Sequence, residues 1–116
     1  MNPLIYVAGP FRGNILHNVR RAIECGQRLR SYGADVCIPH LSFAEDLVCP
    51  HPDDYWLDVT MRQCVRCDAI YRLDGESSGS DAEVAAMVRL GRPVLYTDAA
   101  AADWIRSWKE THERHD

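Results

Sequence analysis

Short apolar runs alternate with segments of helical periodicity along most of the chain. The first run, residues 4–8, is continuous and ends at Gly9-Pro10, as is typical of a strand buried on both faces of a parallel sheet. A helix is predicted from Ile15 to Leu29, where apolar residues recur every three or four positions, and Gly33 is placed to end it. Further strands are predicted at residues 35–39, 69–73 and 93–96, and further helices at 55–67, at 84–90 and from Asp98.

This alternation predicts an α/β fold, a flavodoxin- or Rossmann-like three-layer sandwich with a four- to five-stranded parallel sheet. Right-handed crossovers leave few topologies, and we expect the strand order 2-1-3-4, with any fifth strand added after the fourth. In this order the loops 9–14 and 75–83 lie side by side, at the point where such sheets bind ligands. The 116 residues suit a single domain, 1–116, with a polar tail at 109–116 that we expect to fray.

Composition excludes several classes of partner. The net charge of −4 gives no basic excess for binding nucleic acid, and no segment approaches the ~20 apolar residues of a membrane span. The chain opens without a signal-peptide pattern, and its five cysteines, an odd number, fit reduced thiols better than a disulfide framework. We therefore expect a cytoplasmic protein that binds neither nucleic acid nor membrane.

The loop 75–83, with two glycines, three serines and Glu83 at its end, carries the most chemical information. Small residues let the backbone turn and point amide groups outward, and the following helix start favours an anion. Arg12 comes from the neighbouring loop 9–14, which also contains Gly13. The sequence therefore predicts a phosphate site, with Glu83 facing the sugar attached to that phosphate and kept ionised by the helix dipole.

Glu83 also has a structural interpretation. Ser80-x-x-Glu83 matches a capping box, in which the glutamate carboxylate returns to the backbone amide of Ser80. Such a carboxylate is not aimed at a sugar, so the capping role and a catalytic role are partly exclusive. The local sequence leaves both open.

Residues 40–52, predicted to be a loop or a broken segment, and the helix after them supply flat side chains. Phe43, Tyr55 and Trp56 could stack on a nucleobase, although ordinary core packing would explain at least one of them. His40 follows the second strand and could contact a base or a phosphate, or only hydrogen-bond a loop. These residues are the candidates for base and sugar binding.

A departing base needs a proton, for which Asp54, Asp68 and Asp74 are the candidates. Asp54 has an alternative role as a helix cap, and Asp68 as a structural residue at a strand start. Zinc ligand types also occur, in Cys64-x-x-Cys67 and in residues upstream, but no second Cys-x-x-Cys motif accompanies them. We expect no metal and no cofactor.

Several segments together resemble the nucleoside 2-deoxyribosyltransferase superfamily, and most closely its nucleoside 5′-monophosphate N-glycosidases. They span most of residues 4–96 and read YVAGPFRG at 6–13, DAI at 68–70, SSGSDAE at 77–83 and LGRPV at 90–94. The resemblance implies that Glu83 is the nucleophile, that Tyr6 lies near it and that Asp68 is the aspartate with which the family begins its third strand. It also implies that the 5′-phosphate is held by Gly9, Arg12, Ser77 and Gly79. Pro10 departs from the family pattern, because some relatives have a phosphate-binding serine there.

The resemblance implies hydrolysis of the N-glycosidic bond of a (deoxy)ribonucleoside 5′-monophosphate, releasing the free base and a sugar 5-phosphate. One alternative is base exchange by a nucleoside deoxyribosyltransferase, and another is a nucleotide-binding sensor without turnover. The partners expected are the nucleotide and a second copy of the chain, in a homodimer whose active sites are shared.

Overall fold

The computed structural model describes residues 1–113 and contains one parallel sheet with helices on both faces. The strands are β1 (Leu4–Ala8), β2 (Asp35–Cys37), β3 (Ala69–Arg72) and β4 (Val94–Leu95). The helices are α1 (Ile15–Ser31), α2 (Ser42–Val48), α3 (Asp53–Cys64), α4 (Ser78–Arg89) and α5 (Asp98–Glu113), with a 3₁₀ turn at Pro39–Leu41. The spatial order β2-β1-β3-β4 confirms the predicted α/β topology with four strands.

The central strand β1 divides the core into two apolar layers. Ile5 and Val7 pack with α1 and α5 on one face of the sheet. Tyr6 and Ala8 point to the other face, where they pack against side chains from β3, from α4 and from the end of α3. Because all four residues are fully buried, β1 carries a continuous apolar run instead of an alternating one.

Helix α1 follows the prediction most closely. The Asn14 side chain accepts a hydrogen bond from the backbone N–H of His17 at 3.1 Å, which caps the first turn. Gly33 lies one residue beyond the C-cap Tyr32 and has a φ of +104°, a conformation that side chains with a Cβ disfavour. The glycine therefore ends the helix for the predicted reason.

Residues 40–52 are more regular than predicted. The 3₁₀ turn is followed by two turns of α2, because no proline interrupts the chain between Pro39 and Pro50. Helix α3 then begins at Asp53, with Pro52 as a cap that has no side-chain hydrogen bond. Asp54 is therefore not the helix cap, since it lies within the first turn.

Helix α4 begins at Ser78, six residues before the predicted start, and Ser77 caps it by accepting from the Ser80 amide at 3.1 Å. Helix α5 is capped by Thr97, whose hydroxyl oxygen accepts from a backbone amide, and not by Asp98 as predicted. The Asp98 carboxylate instead accepts from Arg28, Tyr32 and Tyr71 at 2.7, 2.9 and 2.6 Å.

Helix α5 includes residues 109–113 of the tail that was expected to fray, and residues 114–116 lie outside the described part of the chain. Among the helices of residues 1–113, none combines the length and apolarity needed to cross a membrane.

Candidate active site

A cleft of about 570 Å³ opens at the carboxyl end of β1, within the 300–1,000 Å³ range of small-molecule sites. It lies between the loop after β1, the segment from Pro39 to Asp46, the exposed start of α3 and the start of α4. The predicted site residues that line it are Tyr6, Gly9, Arg12, His40, Phe43, Trp56, Ser77, Gly79 and Glu83. The two loops predicted to meet therefore do meet at one crevice.

Tyr6 and Glu83 form a buried pair in this cleft. Tyr6 is fully buried and Glu83 is 7% exposed. The Tyr6 hydroxyl donates a short hydrogen bond to Glu83 Oε2, which connects the middle of β1 to the second turn of α4. The carboxylate is thus fixed by the core of the sheet.

Burial raises the pKa of Glu83 from 4.5 to about 7. The hydroxyl groups of Tyr6 and Thr60 act in the opposite direction, as does the charge of Arg72, but they do not outweigh the loss of water. The prediction that the helix dipole keeps Glu83 ionised is wrong, because Glu83 lies beyond the first turn, where the dipole acts. The carboxyl group is therefore close to half ionised at neutral pH.

The capping-box interpretation of Glu83 does not hold. The Ser80 amide is taken by Ser77 Oγ, and the Glu83 carboxylate is directed to Tyr6. The Ser77 hydroxyl also donates to Ser80 Oγ at 2.9 Å, and Ser80 Oγ donates to the Gly9 carbonyl at 3.1 Å. The serines therefore cap α4 and tie its start to the end of β1, which leaves Glu83 free for chemistry.

The start of α4 presents free donors to the cleft. Within residues 1–113, the backbone amides of Ser78 and Gly79 have no hydrogen-bond acceptor, whereas the next two amides are satisfied by Ser77. Arg12 approaches from the other loop and forms an ion pair with Asp53, with both side chains about 70% exposed. The cleft therefore offers an anion two free amides at a helix N-terminus and, from the other loop, a cation that is paired with an exposed carboxylate.

Aromatic side chains also line the cleft. The Phe11 ring lies 6.1 Å from Phe43 and 6.2 Å from His40, measured between centroids. The Trp56 indole N–H donates to Asp46 Oδ1 at 2.6 Å, which fixes the ring plane. His40 Nε2 donates to the Pro10 carbonyl at 3.0 Å, and burial lowers the pKa of His40, so its ring is neutral and holds the loop after β1.

Five of the residues that the sequence suggested for the site do not line the cleft. The Asp68 carboxylate accepts from the Leu4 amide at 2.8 Å, at the amino edge of the sheet, as its structural alternative predicts. Asp54 accepts from the next amide in α3, and the Tyr55 ring stacks on His51 at 3.8 Å. Gly13 and Asp74 are exposed and also lie away from the cleft wall.

Other residues line the cleft although the sequence did not single them out for it. They include Phe11, Asp46, Asp53, Thr60, Glu76 and Ser78. Phe11 and Ser78 lie inside the predicted loops and could have been found from position alone. Asp53 and Thr60 depend on the rotation of α3 about its axis, which the weak apolar pattern of this helix does not define.

Cys64 and Cys67 are buried in the core beneath Tyr6, with Cys37 packed beside them. No three His, Cys, Asp or Glu side chains in residues 1–113 are grouped to hold a metal ion.

Comparisons with known proteins identify the family of the chain. Residues 3–96 match a family model described as a domain of unknown function (DUF4406). The chain belongs to this family. The match ends just after β4 and includes every residue that lines the cleft.

Among solved structures, the fold is similar to that of a 2-deoxyribosyltransferase from the psychrotolerant bacterium Bacillus psychrosaccharolyticus. The TM-score is 0.57 and the sequence identity 21%, over 78% of this chain and 69% of that chain. This similarity confirms the fold that the sequence resemblance implied. A comparison with curated proteins gave no match.

Proposed function

We propose that the protein hydrolyses the N-glycosidic bond of a nucleoside 5′-monophosphate, releasing the base and a sugar 5-phosphate. One observation carries the proposal: Glu83 is buried in a nucleotide-sized cleft and is held by Tyr6 instead of by the start of its own helix. A carboxylate kept free in this way stabilises or captures an oxocarbenium-like centre.

The proposed reaction has two displacements. The Glu83 carboxylate attacks the anomeric carbon as the bond to the base breaks, forming a glycosyl ester, and water then cleaves that ester. The Tyr6 hydroxyl donates a hydrogen bond to Glu83 Oε2. The attacking lone pair therefore comes from Oε1, or from Oε2 after this hydrogen bond lengthens. Because only the carboxylate is nucleophilic, the rate depends on the ionised fraction of Glu83.

The phosphate is proposed to bind at the start of α4, on the amides of Ser78 and Gly79. Arg12 supplies the countercharge, which requires it to leave Asp53. An exposed ion pair stabilises a protein by only about 0.2–1 kcal/mol, so a phosphate dianion can displace the aspartate. This arrangement also screens the phosphate from Glu83.

The base is proposed to lie against Phe11, Phe43 and Trp56, which line the same cleft. The carboxyl groups in the cleft besides Glu83 are those of Asp46, Asp53 and Glu76. Protonation of the departing base is assigned to this group or to water that it holds, since Asp54, Asp68 and Asp74 lie elsewhere.

A homodimer that shares its active sites is part of the proposal. Leu57 lies on the rim of the cleft and is 55% exposed, and Val88 and Leu90 near the end of α4 are also exposed. A second copy packed over Leu57 would cover this apolar side chain and narrow the cleft. Sedimentation velocity tests this, with Leu57→Glu expected to yield monomers.

The test of the function is release of free base from a panel of ribo- and deoxyribonucleoside 5′-monophosphates, with the parent nucleosides beside them. We expect release from one or more monophosphates, a large loss without the phosphate, and loss of at least a thousandfold in Glu83→Gln. Glu45→Gln is the matched control, because it makes the same change at an exposed carboxylate that does not line the cleft.

Added free bases distinguish the two reactions. Hydrolysis leaves the sugar 5-phosphate as product, whereas a transferase, the activity named for the enzyme of similar fold, produces a new nucleotide. If no base is released while nucleotides still raise the melting temperature, the cleft is a binding site without turnover.

A further inference from the structure

Asp46 is a carboxylate that lines the cleft together with the rings proposed to hold the base. It lies in α2 three residues after Phe43, so the two side chains are neighbours on one face of that helix. Its Oδ1 accepts two hydrogen bonds, from the Trp56 indole N–H at 2.6 Å and from the His51 backbone amide at 2.9 Å. The protein therefore fixes a carboxylate where the base is proposed to bind.

The Trp56 ring has further contacts that fix its plane. It lies edge-on to the His51 ring at a centroid distance of 5.8 Å and to the Tyr55 ring at 4.9 Å. The His51 and Tyr55 rings stack on each other at 3.8 Å. Because Trp56 also donates to Asp46, the ring and the carboxylate form one unit whose geometry is set by the protein and not by a ligand.

One oxygen of Asp46 remains available as an acceptor. A carboxylate oxygen has two acceptor sites, and both sites of Oδ1 are occupied. Within residues 1–113, Oδ2 accepts no hydrogen bond and Asp46 forms no ion pair. Two other cleft carboxylates differ from it, since Asp53 is paired with Arg12 and Glu76 directly precedes the cap of α4, where the phosphate is proposed to bind.

We propose that Asp46 selects bases that carry an exocyclic amino group, an inference that rests on the proposed function for the identity of the ligand as a nucleotide. An amino group donates to Oδ2, whereas a carbonyl oxygen in the same place sets two acceptors against each other. Guanine, adenine and cytosine carry such an amino group. Hypoxanthine and uracil offer only a ring N–H next to a carbonyl oxygen that the carboxylate repels, so the cleft discriminates against them.

The ionisation of Asp46 agrees with this role. The hydrogen bonds from the His51 amide and from the Trp56 indole hold the pKa of Asp46 below its usual value. The group is therefore an acceptor at neutral pH and not a proton donor to the departing base. Protonation of the base then falls to Asp53, to Glu76 or to water.

The experiment measures affinity in the Glu83→Gln protein, so that its outcome does not depend on turnover. Calorimetry compares guanosine with inosine, adenosine with inosine and cytidine with uridine, all as 5′-monophosphates, with the 2′-deoxy forms run in parallel. Within each pair the sugar and the phosphate are the same, so the ratio of affinities reports on the base alone. In every pair of which a member binds, we expect the amino-bearing nucleotide to bind about tenfold more tightly.

Adding Asp46→Asn should reverse this preference. The asparagine oxygen can still accept from Trp56 and His51, while an NH₂ group replaces Oδ2 and favours a carbonyl on the base. A merely structural role would instead weaken the binding of all nucleotides alike. Asp58→Asn is the control, because it removes the same charge from an exposed position of α3 outside the cleft and should leave every ratio unchanged.

Three results would overturn the inference: equal affinities within the pairs, a preference for amino-bearing bases that survives in Asp46→Asn, or no binding of any of these nucleotides. A preference that reverses as expected, in a protein whose wild type releases no base, would support the role of Asp46 and refute the proposed hydrolysis. The two proposals can therefore fail separately.

Discussion

The Tyr6 hydroxyl donates a hydrogen bond to the Glu83 carboxylate across 77 residues of sequence. The tyrosine belongs to the central strand and the glutamate to the second turn of α4, so the packing of α4 on the sheet fixes the position of the carboxylate. Both groups are buried, and this raises the pKa of each. The pair therefore couples the fold to the ionisation of the proposed nucleophile.

Replacing Tyr6 by Phe should raise the pKa of Glu83 above its value of about 7. A hydrogen bond to a charged group contributes about 1.5–3 kcal/mol, which corresponds to roughly one to two pH units. The pH profile of base release should therefore move to higher pH, with activity at pH 7 falling about tenfold and recovering in alkaline buffer. Tyr71→Phe is the control, because Tyr71 donates to Asp98 on the other face of the sheet.

Replacing Glu83 by Gln should stabilise the protein at neutral pH. With its pKa raised from 4.5 to about 7, Glu83 binds a proton more tightly in the folded state, so its contribution to stability is full below pH 4.5 and is lost as pH rises through 7. Glutamine does not ionise. The variant should thus match the wild type near pH 4 and exceed it above pH 7 by up to about 3 kcal/mol in urea unfolding. An equal difference at both pH values would contradict the assignment.

Replacing Asp53 by Asn should strengthen the binding of inorganic phosphate. The substitution frees Arg12 from its ion pair. Because an exposed ion pair contributes only about 0.2–1 kcal/mol, we expect calorimetry to show that the affinity for phosphate rises roughly two- to fivefold. Asp54→Asn makes the same change of charge one residue away, at a carboxylate that does not contact Arg12. Equal gains in the two variants would show that net charge alone is responsible.

Replacing Asp68 by Asn should leave base release within about twofold of the wild type. Asp68 accepts from the Leu4 amide at the amino edge of the sheet, and the asparagine oxygen can accept the same hydrogen bond. A loss of a hundredfold in kcat with an unchanged melting temperature would instead restore Asp68 as the general acid.

Much of the fold could be predicted because each apolar strand is bounded by glycine, proline or polar residues. The order of strands and the meeting of loops 9–14 and 75–83 followed from that alternation alone. The start of α4 could not, because Ser77 and Ser80 are equally good caps in sequence. The structure resolves the choice by using Ser77 as the cap and Ser80 as a contact to Gly9.

The side chains of α3 were predicted less well, and the reason is geometric. Successive residues of a helix point about 100° apart, so the choice between neighbours depends on the rotation of the helix. Asp53 and Trp56 line the cleft, whereas the predicted site residues Asp54 and Tyr55 do not. A leucine such as Leu57 would normally lie on the buried face of a helix, but Leu57 is 55% exposed. The apolar pattern of α3 therefore does not show which face of the helix is buried.

The central claim is that Glu83 attacks the sugar, and intact-mass analysis tests it most directly. Nucleoside 5′-monophosphates with a 2′-fluoro-arabino sugar slow the breakdown of a glycosyl ester, so the intermediate should accumulate on the protein. We predict a mass increase of one fluorinated sugar phosphate, located to Glu83 within peptide 73–89 and absent from Glu83→Gln. An adduct on another residue, or base release from the natural substrate with no adduct from its analogue, would contradict the account.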